Sequence, residues 1–391
     1  MISLINQNIL YLYFDCMDTL VTFCIFIIVL FLYIHVMSQF KKSEDMEIYE
    51  MDYSTNSHLQ EVCDVRQPVL FNVQDIIPGL FSDINPQTIA QYSSHDVKLK
   101  DADDYYNKDS SESLPVDSLS LPLHTTFSIL ENDKDGRYFS EDNEDFLDES
   151  GLKKRICAID EVLRPSFTIY SKHDVLFGSC NTATPLRYHT DYRQFLCITS
   201  GKIRVKMTSW KSSKYLHPFK DYEHYEFRSP VHATQPSSKY TSDYDKTNFI
   251  DFEVQKGMML YIPPYWWYSI IYLDDPSTFI CKTTYSTLMN CISNLPDLAL
   301  YVLQQQNITK RVPKIPDVTN TVDDSEHIEK QEVELDESVT DKLTPDTMKQ
   351  LETEIVNHQP PNTTIIEDIV PTEPISEKLK DNNVEYSLSS I

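Results

Sequence analysis

The strongest constraint on the fold is a strand that ends at two consecutive prolines and restarts as an aromatic strand. The run MMLYI, Met258 to Ile262, is followed by Pro263-Pro264 and then by YWWYSIIYL. Proline cannot donate a ladder hydrogen bond, so it interrupts any central strand. We therefore predict a strand, a sharp corner and a second strand in this region.

An upstream segment shows the alternation of a strand that has one buried face. In FLCITSGKIRVKM, two strand-like runs meet at Ser200-Gly201, which predicts a tight turn between them. Cations and apolar residues then alternate in the order Lys202, Ile203, Arg204, Val205, Lys206 and Met207. Short strands of this kind, separated by turn signals, predict a mostly-β barrel or jelly roll. After these strands, Pro296 and the apolar pattern that follows it predict a helix that ends near Asn307.

These segments resemble the cupin-like, JmjC-related dioxygenases. The segment DFEVQKGMMLYIPPYWWYSIIYL matches that family's strand–corner–strand at Gly257, Leu260, Ile262, Pro263, Pro264, Trp266 and Trp267. TPLRYHTDYRQFLCITSGKIRV resembles its first metal strand, and RQPVLFNVQDI resembles its opening strand. The resemblance covers roughly residues 65–300 and implies a double-stranded β-helix with flanking helices. It also implies Fe(II) held by two His and a carboxylate, with 2-oxoglutarate held by a basic residue.

The chain departs from that pattern at each essential position. Tyr268 replaces the distal His, and Met258 replaces the acid beside the turn glycine. The first ligand pair has two alignments: either His189 and Asp191 form the His-x-Asp pair, or Arg187 takes the His position and His189 the Asp position. The resemblance therefore implies His189, Asp191 and Tyr268 as candidate metal ligands. The candidate cofactor-binding residues are Thr184, Lys202 and Arg204.

An apolar run near the amino end predicts a membrane anchor. Thr19 to Phe40 contains no charged residue and is long enough to cross a bilayer. Lys41 and Lys42 follow it and no cation precedes it, so the positive-inside rule places the body in the cytosol. The sequons at Asn307 and Asn362 would then stay unmodified. We assign residues 1–42 to a single-pass anchor and 43–64 to a linker.

Charge divides the rest of the chain. The formal net charge of −26 argues against a nucleic-acid partner, which needs a basic face. Residues 101–150 carry 15 acidic and 3 basic residues, which predicts a loop or long insertion within a cupin-like domain at 65–310. Residues 315–391 carry 19 acidic and 5 basic residues, so we predict a disordered acidic tail over 311–391.

Three functions remain open from the sequence. The favoured one is a membrane-tethered cupin-like domain that is catalytically degenerate and has no catalytic residue or cofactor. It acts as a binding or structural module, and its expected partners are the membrane and a protein. The second is an active Fe(II)/2-oxoglutarate protein hydroxylase with an unrecognised third ligand; His217, His224 and His232 are the candidates. The third is an architectural membrane protein of a large DNA virus, whose tail recruits partners.

Overall fold

The structure, a computed structural model, describes residues 2–106, 116–273 and 278–307, with side chains from residue 17 onward. The predicted acidic tail lies outside these residues. The strands are β1 (Tyr49–Met51), β2 (Val69–Asn72), β3 (Asp96–Asp101), β4 (Leu119–Pro122), β5 (Tyr138–Ser140), β6 (Thr168–Gly178), β7 (Arg187–Tyr188), β8 (Arg193–Ser200), β9 (Lys202–Thr208), β10 (Phe219–Asp221), β11 (Glu226–Arg228), β12 (Ile250–Gln255), β13 (Met258–Ile262), β14 (Trp267–Tyr272) and β15 (Phe279–Thr287). The helices are α1 (Ile2–Gln39), α2 (Asn56–Cys63), α3 (Pro78–Asp83), α4 (Pro86–Ile89), α5 (Leu123–Asn132), α6 (Glu144–Glu149), α7 (Lys153–Ile156), α8 (Asp160–Leu163), α9 (Ser213–Leu216), α10 (Thr241–Tyr244), α11 (Leu288–Ser293) and α12 (Leu295–Gln305).

Two sheets form the body of the protein. In the described part of the chain, the larger sheet has nine strands in the order β1-β2-β13-β8-β15-β6-β5-β3-β4. The smaller sheet has six, in the order β10-β11-β7-β14-β9-β12. Apart from the parallel β1–β2 pair, neighbouring strands are antiparallel. The prediction of a β-rich fold with accompanying helices is confirmed.

The central strands of the larger sheet are buried on both faces. In β8, Phe195 and Cys197 join a core that includes residues of the helices, while Leu196 and Ile198 join a second core shared with the smaller sheet. Successive side chains of a strand point to opposite faces, so this alternation places the sheet between two apolar layers. A strand buried on both faces reads as a continuous apolar run, as FLCI does.

Two corners carry the chain from one sheet to the other. The Pro263-Pro264 corner joins β13 in the larger sheet to β14 in the smaller one, as a strand–corner–strand. The predicted turn at Gly201 joins β8 to β9, but these strands also lie in different sheets, so the turn does not close a hairpin. Gly201 has φ +70°, and a Cβ there would clash with Thr278. The glycine permits a change of sheet rather than a two-residue hairpin loop.

Two segments are more ordered than the sequence predicted. The expected linker, 43–64, contains β1 and α2, and Leu59 and Cys63 of α2 are fully buried. The acidic segment predicted as a loop or insertion contains β4, α5, β5 and α6. Their apolar runs are short and interrupted by charge, so neither segment carries a clear periodic signal. Both contribute strands to the larger sheet, and their helices add residues to its core.

An apolar helix precedes the body. Met17–Gln39 of α1 is long and apolar enough to cross a membrane, and its most apolar stretch is not buried within the protein. The body begins directly after it. Lys41 Nζ donates to the carbonyl of Asp64 at 3.2 Å, and Lys42 Nζ lies 4.2 Å from the centroid of the Tyr265 ring. The end of α1 is therefore attached to the body without a flexible spacer.

Candidate functional site

A cavity of about 530 Å³ is lined by residues of both sheets and of α11 and α12. Arg187, His189, Asp191 and Tyr268 all line it, so the structure brings together all three predicted metal-site residues and the alternative Arg187. Its other charged lining residues are Lys100, Glu141, Asp142, Lys172, Glu226 and Lys282. When Arg187 and Asp191 are included, the lining has equal numbers of basic and acidic side chains, so it carries charges of both signs.

A buried ion pair occupies the inner part of the cavity. Arg187 of β7 donates from Nη1 to Glu141 Oε1 at 2.7 Å, and its Nη2 contacts the other oxygen of the same carboxylate. Nη1 also donates to Glu226 Oε1 at 3.0 Å. Glu141 is 1% exposed and Arg187 8% exposed, so this bidentate pair is shielded from water.

The charges around Glu141 keep it ionised. Burial favours a raised pKa for Glu141, but Arg187 and Lys100 outweigh burial and lower its pKa well below the usual range. Lys100 Nζ donates to Glu141 at 2.9 Å and to Asp142 at 2.6 Å. Burial likewise favours a raised pKa for Asp142, and Lys100, Lys282 and Lys172 together lower it. Glu141 and Asp142 are therefore both ionised, and each is surrounded by basic side chains.

His189 is held as a neutral ring. Its Nε2 lies 2.9 Å from the carbonyl oxygen of Ile262, which can only accept a hydrogen bond. Nε2 therefore carries the proton. Burial lowers the pKa of His189, and this outweighs the raising effect of Asp191. In the neutral ring, Nδ1 then presents a lone pair; it is buried without a hydrogen-bond partner.

The loop that follows His189 is attached to the carboxyl-terminal helices. The prediction placed His189 and Asp191 on a strand, but β7 ends at Tyr188 and both residues lie in the loop beyond it. The carbonyl of Thr190 accepts from Asn290 Nδ2 at 2.9 Å and from Asn294 Nδ2 at 3.0 Å. Asp191 Oδ1 accepts from Ser286 at 3.1 Å. In this loop, His189 Nδ1 lies 3.9 Å from Asp191 Oδ2.

Tyr268 lies directly opposite Arg187. The two residues are Cα partners in the β7–β14 pair, and the Arg187 guanidinium carbon is 5.8 Å from the Tyr268 ring centroid. His189 is farther away, with its ring centroid 6.4 Å from that of Tyr268. The register therefore places Arg187, and not His189, opposite Tyr268.

The residues present do not fit a two-His, one-carboxylate iron site. Among the described residues, Asp117, Glu223 and His224 form the one set of three His, Cys, Asp or Glu side chains whose donor atoms lie within 4.8 Å of one another. That set contains neither His189 nor Asp191. In the described part of the chain, no third His, Cys, Asp or Glu donor atom lies within 4.8 Å of both His189 and Asp191. Arg187 in the alternative alignment is a cation that repels a metal ion.

The predicted cofactor-binding residues lie away from the cavity. Lys202 and Arg204 lie on the outward face of β9, where Arg204 forms a bidentate pair with Asp251 at 2.6 and 2.7 Å. Thr184 is buried, and its Oγ1 accepts from the backbone nitrogen of Ile270 at 2.9 Å. The structure therefore gives these three residues roles in the sheet, and they do not line the cavity.

The replacement histidines are likewise dispersed. His224 lines the cavity, with Nδ1 at 3.2 Å from Asp221. His217 pairs with Asp243 at 3.0 Å, and the ring of His232 lies 4.5 Å from that of Tyr106. None of the three joins His189 and Asp191 in a close donor set within the described chain.

Sequence reasoning missed two cavity residues that the structure makes central. Glu141 lies just beyond β5 in the acidic segment, where many similar carboxylates conceal it. Lys282 had a usable signal, since it is a lone cation in the strand FICKTTYST; its Nζ is 3.2 Å from the buried Asp174. Comparison with known proteins adds no homology, since neither a family model nor a curated protein matches the chain.

Proposed function

We propose that this chain is a membrane-anchored cupin-like protein whose cavity is a binding site without iron-dependent oxygenase chemistry. One observation carries the proposal: the residue opposite Tyr268 is Arg187, and it is paired with the buried Glu141. In the alignment that gives Arg187 the first His position, a guanidinium and a phenol stand where the resemblance expects two imidazoles, and the guanidinium is bound to a buried carboxylate. Both corners cross between the sheets, which supports the double-stranded β-helix form.

The cavity chemistry supports a polar ligand that carries both charges. Lys172 is 33% exposed and Asp191 36% exposed, so each can meet a ligand, whereas Arg187 and Glu141 are committed to each other. Rings of Tyr170, Tyr225 and Tyr301 add apolar surface to the lining. A peptide or protein segment that carries an ammonium and a carboxylate group matches these exposed charges and rings. This match supports a role as a binding module.

Turnover of 2-oxoglutarate tests the proposal against the enzyme alternative. The full chain in detergent is incubated with Fe(II), ascorbate, oxygen and 2-oxoglutarate, and succinate is measured by mass spectrometry. We expect no succinate above the level given by the His189→Ala variant. Succinate formed by the wild type and abolished by His189→Ala would instead establish the hydroxylase.

The anchor is part of the same proposal. We place α1 across the membrane and the body on the cytosolic side, supported by Lys41 and Lys42 after the span. Expression in a eukaryotic cell tests the orientation, because Asn307 begins a glycosylation sequon. A chain with a cytosolic body shows no mass shift on deglycosylation. A shift that Asn307→Gln removes would place the body in the lumen.

A further inference from the structure

The body carries an exposed apolar face beside α1. Two segments far apart in the sequence form it: the start of β6 and the helices α11 and α12. We define this face by Phe167, Ile169, Leu288, Ile292, Leu295 and Val302, which are all exposed. Strand pairing sets Thr168 against Thr287, the residue that caps α11, so the two segments are neighbours.

Phe167 is the most exposed member of the face. Its side chain is 89% exposed, and its backbone has φ +61°, a left-handed conformation that is unfavourable for a bulky residue. A residue that is both strained and solvated adds nothing to the core. Its placement is explained if the side chain meets an apolar environment outside the protein.

The two helices present no charge on this side. From Thr283 to Asn307 the chain has a single charged residue, Asp297. Asp297 accepts from Lys220 at 3.0 Å and from Tyr222 at 2.7 Å, so its carboxylate is turned toward the body. An exposed helical surface of this composition lacks the charges that keep an ordinary surface hydrated.

We propose that this apolar face docks onto the lipid surface of the membrane that α1 crosses. The inference rests on the proposed anchor. Helix α11 packs against α1, and Lys41 and Lys42 attach the body at the end of the span. A face beside a membrane-spanning helix lies within reach of the lipid. Leucine, isoleucine and phenylalanine are the side chains that enter the boundary between headgroups and acyl chains.

Docking there also brings part of the cavity wall close to the membrane. Tyr170, Cys291 and Leu298 line the cavity and lie on the same segments as the apolar face. With the face docked, these lining residues lie near the membrane surface.

Photolabelling from within the bilayer tests the docking. The full chain is reconstituted in phosphatidylcholine vesicles that contain a small fraction of lipid with a diazirine on its acyl chain. After irradiation, labelled peptides are mapped by mass spectrometry. We expect label on α1, on the peptide containing Phe167 and on the peptide of α11 and α12. Phe167→Asp combined with Leu295→Asp should reduce the label on the latter two several-fold, while the matched exposed substitution Ile76→Asp should not.

The outcomes separate the inference from the anchor on which it rests. Label on α1 but not on the apolar face would overturn the docking and leave the anchor intact. Absence of label from α1 as well would overturn both. If the face is instead protected by a second copy, the detergent-solubilised chain will be a dimer that Leu295→Asp dissociates, and the lipid inference is then wrong. Circular dichroism of each variant checks that it remains folded.

Discussion

Arg187 and Tyr268 face each other across adjacent antiparallel strands, with the Arg187 guanidinium carbon 5.8 Å from the ring centroid. The same guanidinium binds the carboxylate of Glu141, which lies 46 residues earlier in the chain. The cavity is therefore lined by a buried ion pair of Arg187 and Glu141. His189 and Asp191 line the same cavity.

Removing the buried cation should strongly destabilise the protein. Arg187→Met leaves Glu141 buried with Lys100 as its main partner, and breaking a buried pair costs about 3–5 kcal/mol. The exposed pair of Arg204 and Asp251 provides a matched control, since Arg204→Met should cost less than about 1 kcal/mol. Urea unfolding of the detergent-solubilised chain, followed by tryptophan fluorescence, gives both values. Equal losses in the two variants would mean that the Arg187 pair is not shielded from water.

The fold was more predictable than the site. The Pro-Pro corner, the strand alternation after Gly201 and the last helix could be read from local patterns, because each depends on neighbouring residues. The placement of β8 and β9 in different sheets could not, since Gly201 suits a hairpin and a sheet-crossing corner equally well. Glu141 was beyond prediction because its role depends on a tertiary contact with Arg187, and nothing in its local sequence separates it from the other acids.

The ion pair should make stability depend on pH in the acid range. The pKa of Glu141 is lowered in the folded protein, so its contribution is complete above the unfolded value of about 4.3. The contribution is lost as the pH falls below that value, because the unfolded chain binds the proton first. Glu141→Gln should lower the melting temperature at pH 7 and reduce its further decline between about pH 5 and pH 3. Parallel melting curves for the two proteins across this range would argue against the role given to Glu141.

The corner at Gly201 should not tolerate a side chain. Gly201→Ala places a Cβ in the left-handed region, which costs about 1–2 kcal/mol, and the clash with Thr278 adds to that. Gly79 in α3 has open space around its Cα, so Gly79→Ala should be neutral or stabilising by about 0.5–1 kcal/mol. Thermal unfolding compares the two variants. A neutral Gly201→Ala would mean that the corner has another conformation.

The most direct test of the central claim is the iron stoichiometry of the full chain after anaerobic incubation with Fe(II) and removal of unbound metal. Elemental analysis is made on the wild type and on His189→Ala. The account predicts iron well below one equivalent in the wild type, with no decrease in the variant. One equivalent of iron in the wild type that is lost in His189→Ala would contradict it.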